Sequence, residues 1–208
     1  MKLTFRLKLF IYFVAIILFT SIPIALITYN HMYNSLKSDL YSNTKKQMDQ
    51  TDMTLTNMIK ELKADTRFLA NTEDIKKADK SILPLLNVHD IALYGKYSRQ
   101  IPEIQSSIYN YLENYGITHP QTTAAYFGTR WGGYIRWPDE ITSNEFDPRT
   151  RHWYSLALDN PGEVIITDPY VSTVDTSKIL ITLSNAVKNE SGEIIGAAGI
   201  HVSLDILS

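Results

Sequence analysis

The sequence predicts an α+β molecule in which a transmembrane helix continues into a long amphipathic helix, followed by an antiparallel sheet of about five strands with short connecting helices. Three observations predict it. Residues 9–29 form an apolar run without a single charge. Neither proline nor glycine, the strongest helix breakers, occurs between Pro23 and Pro84. Beyond residue 120 the texture changes to β-branched, aromatic and small residues separated by glycine turns, which is the pattern of strands.

The apolar run, LFIYFVAIILFTSIPIALITY, would be roughly 31 Å long as a helix, the thickness of a bilayer's hydrocarbon layer. Lys2, Arg6 and Lys8 precede it, and residues 30–35 carry no lysine or arginine. The positive-inside bias then makes residues 1–8 a cytoplasmic tail, 9–29 a lipid-embedded single pass through the plasma (inner) membrane, and 30–208 extracytoplasmic. Pro23 is tolerated within such a span. A cleaved signal peptide is the competing reading. Its apolar region would normally be about 7–15 residues long and end in small residues, unlike Thr28-Tyr29-Asn30-His31-Met32. Under either reading the remainder is exported.

In residues 30–70, Leu36, Leu40, Met48, Leu55, Ile59, Leu62 and Leu69 recur at helical steps, with Thr44, Asp52 and Thr66 in the intervening slots of the same face. That stripe suits packing against the chain's own sheet, contact with a second copy in a homodimer, or each at a different height. Residues 76–90 read as a mixed connection. Residues 101–115 carry Ile101, Ile104, Ile108, Tyr111, Leu112 and Tyr115 at helical spacing, and Gly116 is placed to end that helix.

Residues 122–129 and 134–137 read as a hairpin around Trp131-Gly132-Gly133. A polar loop over 139–148 leads to a short helix over 149–159, with Asp147 as N-cap and Pro148 at its first position. Residues 164–167, 178–189 and 193–205 supply three more strands, the last two joined by Asn189-Glu190-Ser191-Gly192. Residues 71–208 thus form the folded domain.

Several segments recur together in a known order: Tyr126-Phe127-Gly128, Gly132-Gly133, Asp147-Pro148-Arg149-Thr150-Arg151-His152-Trp153-Tyr154, Asp168-Pro169-Tyr170, Gly192-Glu193-Ile194-Ile195-Gly196 and Gly199-Ile200-His201-Val202-Ser203-Leu204-Asp205. In that order they resemble the membrane-distal half of double Cache sensor domains. These are the extracytoplasmic, PAS-like modules of chemotaxis receptors, sensor histidine kinases and cyclic-dinucleotide enzymes. The resemblance implies a ligand site at Tyr126, Arg151, Trp153, Tyr154 and Tyr170. An arginine fork gives a carboxylate two parallel charge-assisted hydrogen bonds, and aromatic rings exclude water around it.

In family members that bind amino acids, two aspartates hold the ligand's ammonium. Here Ser172 and His201 stand at those positions. An ammonium buried without an acceptor costs several kcal/mol, of order 3–5, so the expected ligand is a small carboxylate or other anion lacking an α-amine. Asp168 or Asp175 could substitute for the lost charge, which would restore an amino-acid-like ligand.

Each residue also has a plainer role open to it. Arg151 could pair with Asp147 on the surface, and Trp153 and Tyr154, adjacent on a helix, would divide between core and pocket. Tyr126 and Tyr170 could be sheet core, and His201, alternating with Ile200 and Val202, a hydrogen-bonded buried histidine. Composition narrows the field further. A net charge of −2 without a basic stripe gives no nucleic-acid surface, and the absence of cysteine excludes disulfides and thiol chemistry. His31, His89, His119 and His152 lack metal-ligand spacing, and no nucleophile motif or phosphate loop occurs. No enzyme, metal or cofactor is implied. The expectation is a sensing module of a transmembrane receptor, with a non-binding structural or dimerisation ectodomain, or a truncated receptor, as alternatives.

Overall fold

A computed structural model describes residues 4–86, 101–139, 145–172 and 175–207. The end of the connection expected over 76–90, the centre of the loop expected over 139–148, and Lys2 and His89 lie outside these residues. The chain divides into two compact units, residues 1–57 and 58–208.

The first unit is helical from Phe5 onward. It is the leading part of α1 (Phe5–Ala70), which carries Pro23 in its interior and contains the one helix among the described residues apolar and long enough to cross a membrane. Its described side chains are exposed, Leu36, Leu40 and Met48 among them, except Leu55, which is partly buried.

The second unit begins where the same helix starts to bury a face. Leu62, Thr66, Leu69 and Ala70 are buried, with Met58 and Ile59 packed alongside. Thr66 is tolerated there because its hydroxyl donates back to Leu62 O at 2.7 Å, satisfying the polar atom within the helix. Of the readings open for the stripe, packing on the sheet therefore holds for Ile59, Leu62 and Leu69.

α2 (Glu73–Lys76) and α3 (Glu103–Thr118) join α1 on this side, contributing Ile75, Ile108, Leu112 and Tyr115 to the core. α3 runs two residues past Gly116, which corrects its expected role as a helix terminator. A Cβ on Gly116 would stand 1.9 Å from the Trp137 ring, so the glycine is a packing gap for that indole. Helix termination falls instead at His119, which adopts a non-helical backbone.

The sheet contains β2 (Thr122–Thr129), β3 (Tyr134–Trp137), β5 (Ile165–Ile166), β6 (Tyr170–Val171), β7 (Ile179–Lys188) and β8 (Ile194–Ser203). Its order is β3-β2-β8-β7-β5, all antiparallel, with β6 also pairing β7. A separate pair joins β1 (Leu85–Leu86) to β4 (Glu145–Phe146), so part of the expected polar loop is strand.

The helix expected over 149–159 is broken. Pro148–Thr150 forms a single 3-10 turn capped by Asp147, Arg151 is extended (φ −91°, ψ 139°), and α4 spans His152–Asp159.

Alternation along the strands sorts side chains between two faces. Ala125, Phe127, Ile135, Ile181, Leu183, Ile200 and Val202 form the core beneath α1, α2 and α3. The other face carries Ala124, Tyr126, Tyr134 and Ala197, and α4 covers it with Trp153, Tyr154 and Ala157.

Candidate functional site

The second face collects most of the residues singled out from sequence. Tyr126 is fully buried at its centre, its ring 4.7 Å from Trp153 and 4.6 Å from His201. It lies flat against β8 because the residue opposite is Gly199, where a Cβ would come within 2.9 Å of the Tyr126 ring. Tyr170 meets the same histidine edge-on at 6.1 Å, and its hydroxyl shares a 2.9 Å hydrogen bond with the Thr182 hydroxyl.

Trp153 and Tyr154 both point into this face and are both buried, their rings 5.6 Å apart. The expected division of one for core and one for pocket does not occur. Arg151 is extended, so α4 begins only at His152, and both aromatics of its first turn are buried in the same cluster against the sheet. Ser184 on β7 anchors that start by donating its buried hydroxyl to Trp153 O at 2.8 Å.

Arg151 itself is exposed, with its guanidinium carbon 4.4 Å from the centre of the Phe146 ring. It does not pair with Asp147, the plainer role considered for it. Arg149 takes that carboxylate in a two-pronged grip, Nε to Oδ1 at 2.9 Å and Nη2 to Oδ2 at 2.7 Å. Among the described residues the Arg151 side chain has no hydrogen-bond or ion-pair partner, while Phe146 in turn packs on Tyr134 with centroids 4.4 Å apart.

Ser172 is buried, and its hydroxyl accepts a hydrogen bond from Asp175 N at 3.1 Å. Asp175, considered as a substitute acid, directs its carboxylate to Ser177 (Oγ at 2.6 Å) and towards Lys178 (3.5 Å). Asp168 is exposed.

Sequence reasoning missed Tyr134, Arg136, Phe146 and Thr182. Arg136 stands directly across the β2–β3 ladder from Tyr126 and two residues beyond Tyr134, so the three share one face. A hairpin centred on Trp131 fixes that pairing, and counting outward from the turn would have found it. Phe146 and Thr182 arrive through pairings too distant in sequence to be read that way.

The electrostatics favour neutral phenols and a neutral imidazole beside cations. Burial raises the Tyr126 phenol well above its usual range, and Tyr134 and Tyr170 rise for the same reason. Tyr154 is pushed up to about 12, again by burial. His201 is pulled down to about 3, first by burial and then by the Arg136 charge. The residue keeps some accessible surface, which moderates that depth but not its direction. Arg136 also eases the Tyr126, Tyr134 and Tyr170 phenols, and Arg151 acts on Tyr134.

Among the described residues the buried Tyr126 and Tyr154 hydroxyls have no hydrogen-bond partner. The Thr182 hydroxyl eases the Tyr126 phenol but makes its hydrogen bond to Tyr170. A buried hydroxyl left unpaired costs about 1–3 kcal/mol. The arrangement therefore offers phenolic donors and guanidinium charge to a species that accepts hydrogen bonds.

The family model for the methyl-accepting chemotaxis protein-like first PDC sensor domain matches residues 94–208. The chain belongs to that family. Methyl-accepting chemotaxis protein McpB of Bacillus subtilis (strain 168) is 29% identical over 187 residues, 89% of this chain but 25% of McpB. This sensor-domain chain thus spans about a quarter of that relative's length.

Among solved structures, the sensory domain of the Campylobacter jejuni chemoreceptor Tlp3 with isoleucine bound superposes with a TM-score of 0.58. It is 22% identical, covering 82% of this chain and 64% of that one. The ligand-binding domain of the Pseudomonas aeruginosa PAO1 amino acid chemoreceptor PctC, in complex with GABA, gives 0.56 at 22% identity, covering 76% and 58%. At that identity the likeness shows the fold: the expected α+β sensor architecture, with a six-stranded sheet where about five strands were expected.

Proposed function

We propose that this chain is the extracytoplasmic sensing module of a chemotaxis-type transmembrane receptor, and that its α4-covered face takes a small carboxylate gripped by Arg151. One observation carries the ligand class. Asp147 is engaged by Arg149, which leaves the Arg151 guanidinium without a described acidic partner, beside a face whose Tyr126 and Tyr154 hydroxyls are unpaired. A carboxylate supplies both a counter-charge and acceptor oxygens.

The chemoreceptors named above are described with amino-acid-type ligands, which supports a carboxylate-bearing class. The amine half departs from them. Ser172 and a neutral His201 replace acids, and Asp175 faces its own turn. A ligand without an α-ammonium fits these residues best, with Tyr126, Trp153, Tyr154 and Tyr170 forming its walls. Residues 9–29 would hold the chain in lipid with residues 1–8 cytoplasmic, and the exposed stripe at Leu36, Leu40 and Met48 would be available to a second copy.

Calorimetric titration of the detergent-solubilised chain tests this. Acetate-like and hydroxy acids are expected to bind more tightly than alanine or serine. Arg151→Ala should weaken the best of them by roughly 10- to 150-fold, about 1.5–3 kcal/mol. Tight alanine binding, or an unchanged affinity in the variant, refutes the assignment.

A further inference from the structure

Arg151 is held at its two ends by different parts of the fold. Its backbone joins the 3-10 turn to α4: Arg151 N donates to Pro148 O at 3.1 Å, and Arg151 O accepts from Tyr154 N at 2.9 Å and from Ser155 N at 3.2 Å. Its guanidinium lies over the ring of Phe146, on β4, with the guanidinium carbon 4.4 Å from the ring centre. Phe146 is fixed in turn. β4 pairs with β1, which sets Phe146 opposite the buried Leu85, and the ring packs on Tyr134 of β3 at 4.4 Å. Tyr134 lies 6.2 Å from Tyr126. The β1–β4 ribbon therefore places one aromatic ring between an exposed guanidinium and the aromatic centre of the α4-covered face. The Arg151 charge carries past that ring, since it eases the Tyr134 phenol.

We infer that Phe146 is a positioning residue for Arg151: its π face holds the guanidinium beside the α4-covered face and leaves the N–H donors to a ligand carboxylate. This rests on the carboxylate reading above and deepens it. A long arginine side chain in solvent samples many rotamers, and a ligand that grips it must order it. A ring that holds the guanidinium beforehand lowers that cost. The two contacts do not compete for the same atoms. Cation–π attraction uses the guanidinium face, whereas the paired hydrogen bonds to a carboxylate lie in the guanidinium plane. An acid in place of Phe146 would consume those donors, as Asp147 consumes Nε and Nη2 of Arg149. An aromatic ring orders a guanidinium without using its hydrogen bonds. Phe146 touches no ligand in this scheme and acts through Arg151.

The test uses the complete 208-residue chain in nanodiscs, with propionate as the probe and propionamide as its uncharged counterpart. NMR of the arginine side chains gives a readout that needs no ligand. The Arg151 Nε–H proton, identified by its loss in Arg151→Lys, should be shifted upfield by the Phe146 ring and return to its ordinary position in Phe146→Leu. In titrations the parent chain should bind propionate at least tenfold more tightly than propionamide. Phe146→Leu should weaken propionate about three- to fivefold, the scale of a cation–π contact at an exposed guanidinium. Phe146→Tyr and Phe146→Trp keep a π face and should stay within about twofold of the parent. Thermal melting shows which variants are folded, and if Phe146→Leu is not, the Arg151 proton of the parent chain and the two aromatic variants carry the test. An unshifted Arg151 proton in the parent chain overturns the proposal. So does propionate binding that is lost in Arg151→Gln and unchanged in Phe146→Leu, an outcome that leaves the carboxylate reading standing. Equal losses in Phe146→Leu, Phe146→Tyr and Phe146→Trp also sink it, since packing and not the π face would then be what Phe146 supplies. A parent chain that binds neither probe, or both equally, overturns the carboxylate reading and this proposal with it.

Discussion

His201 is held neutral by the Tyr126 and Tyr170 rings that crowd it and by the Arg136 charge nearby. Its folded value lies near 3 against 6.5 for a free imidazole. Between those values the unfolded chain binds a proton that the folded chain refuses. Stability should therefore be insensitive to this group above pH 6.5 and fall as the pH drops towards 3, with a slope of up to about 1.4 kcal/mol per pH unit. Urea unfolding followed by tryptophan fluorescence at pH 7, 6 and 5 measures it. His201→Gln should flatten the decline, and equal slopes in the two proteins would assign it to other groups. Gly116 offers a second test at this scale. Alanine is the better helix former by about 0.8–1 kcal/mol, so a purely helical argument predicts a gain from Gly116→Ala. The new methyl would instead meet the Trp137 indole, and overpacking costs about 1–3 kcal/mol. A net loss in unfolding free energy is expected, and a more stable variant would mean the indole moves aside freely.

At the scale of elements, the contact between α4 and the sheet would set how a ligand on the proposed face and the core communicate. β2 and β8 each present alternate residues to the two faces, so Tyr126 lies between Ala125 and Phe127 of the core under α1, and His201 between Ile200 and Val202. A ligand that preferred one placement of those rings would bias the packing against Leu62 and Leu69 by its difference in affinity for the two placements. Ser184 is the rivet of this arrangement. Ser184→Ala should leave the buried Trp153 carbonyl short of a donor and lower stability by about 1–2 kcal/mol, read by denaturant titration. A loss below a few tenths would mean the carbonyl is satisfied otherwise. Which elements were legible in the sequence follows from their physics. β2, β3 and the β7–β8 hairpin announce themselves by alternation and by turns such as Gly192 at φ +83°. β1, β4 and β6 are two residues each and exist only through partners far along the chain, so no local pattern marks them. The break at Arg151 was hidden because Pro148 and Asp147 do start a helical turn, and only the Asp147–Arg149 grip reveals that it ends at once. The same long-range character explains the site. Arg151, Trp153 and Tyr154 form a contiguous motif, whereas Phe146 and Thr182 become neighbours only in the folded sheet.

For the whole molecule, the question that decides function is which side of the membrane the sensor domain occupies. Family membership makes a chemoreceptor-type sensor domain of it, one helix is apolar and long enough to cross a membrane, and the flanking charges favour one of the two orientations. Arg6 and Lys8 precede the apolar run, and the next basic residue after it is Lys37. Each lysine or arginine held back from translocation favours a cytoplasmic amino terminus. Because the chain has no cysteine of its own, single cysteines report position without background. Thr4→Cys and Asn34→Cys lie on either side of the apolar run, both exposed. In intact cells a membrane-impermeant maleimide should label Asn34→Cys and spare Thr4→Cys, with both labelled after lysis. An amino-terminal tag should stay on the mature chain, since its loss would restore the cleaved-signal reading. Labelling at Thr4→Cys alone would invert the topology and place the Arg151 site in the cytoplasm. A carboxylate affinity measured outside would then have no bearing on what the receptor senses.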